Sequence, residues 1–305
     1  MAQTNTARAL PLVLVLTLVW GTNWALFPIA VREVSVWTFR AVSLTAAGVL
    51  LLAFARICGI SIRIPRAHWP AVAGAAVVYL VIWNLASTYA AILIPSGQAA
   101  ILGFTMPMWT VLVTWAWFGE KPTGRMKLAI ALAALGVGLL LVPARGAYAD
   151  APAGFVLGLA AGLGWALGTV ILKRAVVPVP ALVLTGWQLL VAAVPLAAGA
   201  LWIGWGHWFQ PSWQSVFVIA YIAVVPMAIG NAAWFAIVGL LPASVAGLSS
   251  VMVPIVAMLT GAVVHAEPLG PWQLGAMACC GSALALALTR RSQPEAPRVG
   301  ELAKR

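Results

Sequence analysis

The chain has 305 residues and a formal net charge of +11, with 63% hydrophobic and only 8% charged residues, and its mean hydropathy is +1.03. A water-soluble globule is excluded, because buried apolar strands run for about 4 to 8 residues before a polar break, whereas apolar runs of roughly 20 residues recur here along the whole length. A β-barrel is excluded too, since its strands alternate apolar and polar residues; what remains is an all-α membrane protein whose helices each need about 20 residues to cross the hydrocarbon core.

In chain order the runs predict ten spans, at about 10–30, 36–55, 70–91, 96–118, 126–143, 153–172, 181–203, 213–238, 243–264 and 271–289. The first run follows Arg8, but it is longer than a signal-peptide core and carries Trp-Gly-Thr-Asn-Trp at positions 20 to 24, so it reads as a retained span. Spans three and four, and again eight and nine, meet with almost no linker at Pro95 and Pro242. Proline lacks the amide that a continuing helix needs, and a tight turn between antiparallel helices fits there. Residues 291–305 are polar and contain proline, and read as a disordered cytoplasmic tail.

Placing the N-terminus inside puts Arg8, Arg56, Arg63, Arg66, Lys121, Arg125, Lys127, Lys173, Arg174, Arg290, Arg291, Arg298, Lys304 and Arg305 on the cytoplasmic side, 14 of the 17 cations. This is the bias expected of correctly counted spans, and it makes the charge a matter of topology and membrane-lipid contact. Nucleic acid is not an expected partner, because the cations sit in separate short loops rather than on one face.

Residues 84–120 lie over residues 231–267 without a gap at a single offset of 147 positions (231 − 84 and 267 − 120). Asn84 meets Asn231, Pro95 meets Pro242, Pro107 meets Pro254 and Glu120 meets Glu267. The chain is therefore read as a duplicated unit, residues 1–147 and 148–290, of five spans each. An odd number of spans makes the second copy enter the membrane from the opposite side. The repeats are inverted, which is the architecture that lets two bundles exchange inward-open and outward-open states around a central site. Glu120 and Glu267 each open a tight loop before a helix, where a structural role is expected.

The duplicated motifs carry a resemblance. Trp20-Gly21 with Asn23, Phe39-Arg40, Pro95 followed by Ser96-Gly97-Gln98-Ala99-Ala100, Pro107, and Gly119-Glu120-Lys121-Pro122 recur as Gly164-Trp165, Trp187-Gln188, Pro242-Ala243-Ser244-Val245-Ala246, Pro254 and Ala266-Glu267-Pro268. In this order and spacing the chain resembles the drug/metabolite transporter superfamily, in its ten-span group of two EamA-type repeats, over nearly all of residues 10 to 289. The many tryptophans and the lack of membrane carboxylates look most like the aromatic amino-acid exporter branch. The resemblance implies a bacterial inner-membrane exporter moving amino acids or related small metabolites through a central cavity lined by spans one, three, four, six, eight and nine. Where the first copy has Arg40 the second has Gln188, so a charge there belongs to one half only.

Trp37, Trp69, Trp202, Trp213 and Trp272 lie near span ends, where an aromatic belt accounts for them. Trp20, Trp24, Trp83, Trp109, Trp165 and Trp187 lie deeper. Trp20, Asn23 and Trp24 share one helical face, as do Tyr79 and Trp83. With Trp165 they can build a cavity for flat or apolar side chains, Asn23 holding a polar headgroup; ordinary interhelical packing explains the same residues. Gln98 and Ser244, on the spans that follow the two prolines, fit either ligand contact or interhelical hydrogen bonds. Pro95, Pro107, Pro242 and Pro254 are the candidate hinge or helix-turn positions. Arg40, the one cation placed inside a span, is a candidate contact for a substrate carboxylate, or reaches outward to lipid phosphate.

None of the six acids falls mid-membrane. Exchange of organic cations for protons would call for a buried carboxylate, so zwitterionic or neutral substrates fit better. The adjacent Cys279 and Cys280 point apart on a helix and Cys58 lies far from them in sequence, so neither a disulfide nor a metal site is expected. No phosphate-binding glycine loop, metalloprotease helix or nucleophile elbow occurs, and no cofactor is expected. Three function classes follow: a secondary exporter of amino acids, a multidrug or other metabolite carrier, and a lipid-modifying membrane enzyme, for which no cluster of reactive side chains is present.

Overall fold

A computed structural model describes residues 2–26, 30–31, 33–94, 96–203, 211–242, 245–246, 249–265 and 270–288. Every regular element among them is helical, as a backbone in lipid requires when each amide must find its acceptor within its own segment. The helices are α1 (Ala2–Asn23), α2 (Val36–Ile57), α3 (Arg66–Leu93), α4 (Ser96–Gly103), α5 (Met106–Phe118), α6 (Gly124–Asp150), α7 (Pro152–Ala175), α8 (Ala181–Ile203), α9 (Trp213–Leu240), α10 (Val253–His265) and α11 (Pro271–Leu288).

Among the described residues, six segments are long and apolar enough to cross a membrane, and Arg8–Asn23 is a shorter apolar helix. The sequence predicts ten. Prolines begin new helices inside two predicted spans: span four, which is still one of the six, and span nine, whose break is part of the difference. Span four turns at Phe104–Thr105 and restarts as α5 with Pro107 in its first turn, and in span nine a 3-10 turn, Ser250–Met252, precedes α10, which is 13 residues long and has Pro254 second. Proline is tolerated at these positions because first-turn amides have no intrahelical acceptor. The two breaks are related by the 147-residue offset.

Two further pairs obey the same offset. Ile94 and Leu241, each before a proline, end α3 and α9 in extended backbone, with φ −130° and ψ 160° for the first and φ −116° and ψ 156° for the second, because proline's ring bars its predecessor from the helical region. Within α3 the residues Val77–Val81 wind as a π-helix, and within α9 so do Ala223–Gly230. Shifting the first by 147 positions places it inside the second.

The helices interleave reciprocally. In the first half α1 packs on α9 and α10 of the second; in the second half α7 packs on α3, α4 and α5 of the first. The pairs α2 with α8 and α6 with α11 join counterparts of the two halves. Large apolar side chains such as Leu10, Leu14, Phe54, Val156 and Phe217 face outward, an exterior suited to lipid rather than water. At one end of the bundle α7 holds to both halves: Lys173 donates to the Val238 carbonyl of its own half at 2.6 Å, and Arg174 pairs with Glu120 and stacks over Phe118 of the other.

Candidate functional site

The site grows out of the two π-helical segments. A π turn widens the helix and breaks the regular ladder of carbonyl acceptors. In α3 the amide of Asn84 donates to the Leu80 carbonyl at 2.7 Å, and in α9 that of Asn231 donates to the Met227 carbonyl at 2.9 Å. The Pro226 carbonyl accepts from the Trp20 indole of α1 at 3.0 Å, with Asn231 a longer second donor at 3.4 Å. Trp20 comes this close because residue 230 is glycine: a Cβ there would collide with its indole nitrogen. Gly168 of α7 likewise makes room for Tyr79.

Around these contacts the aromatic rings lock together. Trp165 of α7 is the hub, standing edge-on to Tyr79 and Trp83, both at 4.4 Å between centroids, to Trp20 at 4.9 Å and to Trp234 at 5.4 Å. Phe104, in the turn between α4 and α5, bridges Trp24 and Trp83 at 6.0 Å from each. Such T-shaped pairs set the positive edge of one ring against the negative face of the next. Trp20 of α1, Trp24 in the 3-10 turn just past it, and Tyr79 and Trp83 of α3 come from the first half, and Trp165 of α7 and Trp234 of α9 from the second.

A cavity of about 30 Å³ is enclosed by Trp20, Asn23, Trp24, Leu80, Trp83, Asn84, Phe104, Trp165, Met227 and Asn231. That is room for one or two waters. A larger solute enters only when rings move apart. Among the described residues, no Lys, Arg, Asp or Glu lines it.

Of the residues singled out in the sequence, Trp20, Asn23, Trp24, Trp83 and Trp165 meet at this cavity, and Tyr79 packs behind Trp165. Trp109 does not reach it; its indole donates to Thr105 at 3.1 Å. Trp187 is away from the hub, edge-on to Trp69 and donating to the Ile62 carbonyl beside Arg56, Arg63 and Arg66. Arg40 is wholly buried and donates through Nε to Thr88 at 2.8 Å, away from the cavity. Pro107 and Pro254 start α5 and α10, and Pro242 follows the extended Leu241. The side chain of Gln98, and all of Pro95, Ser244, Glu267 and the tail, lie outside the described residues. Trp234, Asn231, Met227 and Phe104 are additions. Asn231 was marked by the duplication, and Trp234, three positions on, shares its helical face; Phe104 carries no such signal.

A family model of EamA-like transporters matches residues 7–142 and, a second time, residues 152–289. The chain belongs to the EamA-like transporter family. The double match puts two EamA units in the transporter, on either side of the junction that separates α6 from α7. It is 23% identical to the uncharacterized transporter YvbV of Bacillus subtilis, with 98% of each chain covered, and 25% identical to the uncharacterized inner membrane transporter YedA of Escherichia coli, covering 83% of this chain and 82% of that one. A probable amino-acid metabolite efflux pump of Salmonella typhimurium is 28% identical over 188 residues; the match spans under two thirds of that pump, 63% of its length. A solved crystal structure superimposes with a TM-score of 0.76 at 20% identity, over 92% of this chain and 96% of the other, which establishes the shared fold.

Proposed function

We propose that this transporter is a secondary exporter in the bacterial inner membrane that moves amino acids with aromatic or apolar side chains, and related small metabolites, by alternating access. The observation that carries the reading is the aromatic cavity between α1, α3, α7 and α9, where both halves contribute lining residues. Its rings offer stacking surface to a flat side chain, and its amides offer polar contacts to a headgroup. The ten-span architecture of inverted repeats, residues 1–147 and 148–290 with both termini cytoplasmic, is part of the same proposal; it draws support from the reciprocal packing of α1 and α7 and from the paired π turns, at which each half can bend. The name of the Salmonella relative supports an amino-acid metabolite as cargo, and that of YedA supports the inner membrane.

A second reading, a multidrug carrier of lipophilic cations, is favoured by one feature: tryptophan faces attract cations. Proteoliposomes loaded with radiolabelled amino acids and assayed at several pH gradients separate the two. The exporter reading expects saturable flux of phenylalanine, tyrosine, tryptophan or leucine. Flux of a lipophilic cation such as tetraphenylphosphonium with no flux of any amino acid overturns it in favour of the carrier.

A further inference from the structure

The side-chain amide oxygens (Oδ1) of Asn23, Asn84 and Asn231 are buried and have no hydrogen-bond partner, and all three residues line the one cavity. Their residues are 4%, 1% and 2% exposed, so bulk water does not serve them. In two of the three the arrangement is enforced from within the helix. Asn84 and Asn231 commit their NH2 groups to the Leu80 and Met227 carbonyls, so the oxygen is the end left over. A buried acceptor without a donor costs about 1–3 kcal/mol, and here three converge on one space, two of them duplicated by the repeat.

From this convergence we infer that the site recognises its cargo through a primary ammonium group, with the carboxylate secondary. An ammonium has three N–H donors and no acceptor, which matches three orphan oxygens. The faces of Trp20, Trp24, Trp83 and Trp165 supply negative quadrupole charge around it. A carboxylate meets the opposite environment: acceptors and ring faces repel it, and among the described residues no cation lines the cavity and the buried unpaired donor on the lining is the Trp165 indole N–H. The acceptors are neutral amides, so the site binds an amine without demanding that a proton be released in exchange. The inference deepens the export reading, on whose site it rests, and names the chemical group by which that site selects.

The test is direct binding to the purified full chain in detergent, read by tryptophan fluorescence, with phenylalanine, phenylalaninamide (amine kept, carboxylate removed) and N-acetylphenylalanine (amine capped) as probes. Phenylalaninamide is expected to bind within about threefold of phenylalanine, and N-acetylphenylalanine roughly tenfold or more weaker, the cost of leaving buried acceptors unmet. Asn84→Leu and Asn231→Leu each weaken phenylalaninamide by about tenfold. Should these variants fail to fold, Asn84→Asp and Asn231→Asp keep the shape and replace an amide by a carboxylate; they tighten phenylalaninamide and make its binding fall as pH is lowered. N-acetylphenylalanine binding as well as phenylalaninamide, no saturable binding of either, or Asp variants indifferent to the amine each overturn the inference. If proteoliposomes transport no amino acid while phenylalaninamide binds as stated, the export reading fails and the ammonium site stands. Flux of amino acids without this discrimination leaves the export reading and removes the site.

Discussion

Asn84 and Asn231, 147 positions apart, make the same hydrogen bond: each donates its side-chain amide to the carbonyl four residues back, which lies inside a π-helical segment that ends within three residues before it. A π turn leaves the backbone ladder irregular, and an asparagine placed just beyond it takes up a displaced carbonyl. Both repeats thus hold the same local device, and the chain brings the two copies to one cavity.

Trp165 touches four other rings of the cluster, more than any other aromatic residue there. Trp165→Ala is expected to lower stability by about 3–5 kcal/mol, the usual cost of removing a buried aromatic side chain, and to abolish transport per inserted molecule. Trp165→Phe retains part of the contact and is expected to keep measurable flux. Thermal unfolding in detergent and flux normalised to membrane-inserted protein check both; undiminished flux in Trp165→Ala removes the hub from the transport path.

Gly230→Ala adds one methyl group where the Trp20 indole nitrogen passes. The ring has to swing away and give up its bond to the Pro226 carbonyl, at a cost of about 1–3 kcal/mol from overpacking. The expected result is reduced flux together with a shift in tryptophan emission, and Gly239→Ala, where a Cβ meets nothing within 4 Å, serves as the neutral control.

Thr88 is the acceptor for Arg40 Nε at 2.8 Å and itself donates to the Asn84 carbonyl at 2.6 Å. Thr88→Val has nearly the same shape but no oxygen, so it leaves a buried guanidinium donor unmet. A loss of about 1–3 kcal/mol is expected, more than the partial helix bond alone would cost. Thr110→Val, whose hydroxyl bonds only within its own helix, is expected to cost less; equal losses for the two would deny Arg40 its structural dependence on Thr88.

Glu33, in the connection between α1 and α2, accepts from the Ser212 hydroxyl at 2.8 Å and the Ser212 amide at 2.9 Å, at the start of α9. Hydrogen bonds from Ser215 and Ser212 hold its carboxyl below its ordinary value of 4.5. Because the folded value is the lower one, its stabilising effect is fully present above 4.5 and fades as pH falls through the folded value. Wild type and Glu33→Gln are expected to differ in Tm at pH 7 and to converge as pH drops below 4.5. A constant gap across that window contradicts the linkage.

Much of the candidate site was legible before any coordinates. Trp20, Asn23 and Trp24 fall on one face by helical spacing, Tyr79 and Trp83 on another, and the 147-residue offset marked Asn231 as the twin of Asn84. Spacing along one helix does not reveal which neighbour a face meets, however. Trp187 and Trp109 looked as deep as Trp165 on hydropathy, yet the first stands edge-on to Trp69 near a cluster of arginines and the second bonds to Thr105 in the turn just before its own helix. Phe104 became a cavity residue only because the chain turns at Phe104–Thr105, which a continuous apolar run conceals.

Composition by itself determined the membrane and the helices, because burying a backbone in lipid admits few solutions, and residue order determined the duplication, because a long repeat survives in the order of its prolines and asparagines. Tertiary structure alone decided that α1 of one half crosses to α9 and α10 of the other while α7 returns to α3, α4 and α5, and so which rings share a cavity. Helices in an apolar solvent gain little from hydrophobicity against one another. Their partners are set by close packing at small residues such as Gly168 and Gly230 and by single hydrogen bonds such as that from Trp20 to Pro226, contacts that exist only between segments remote in the chain.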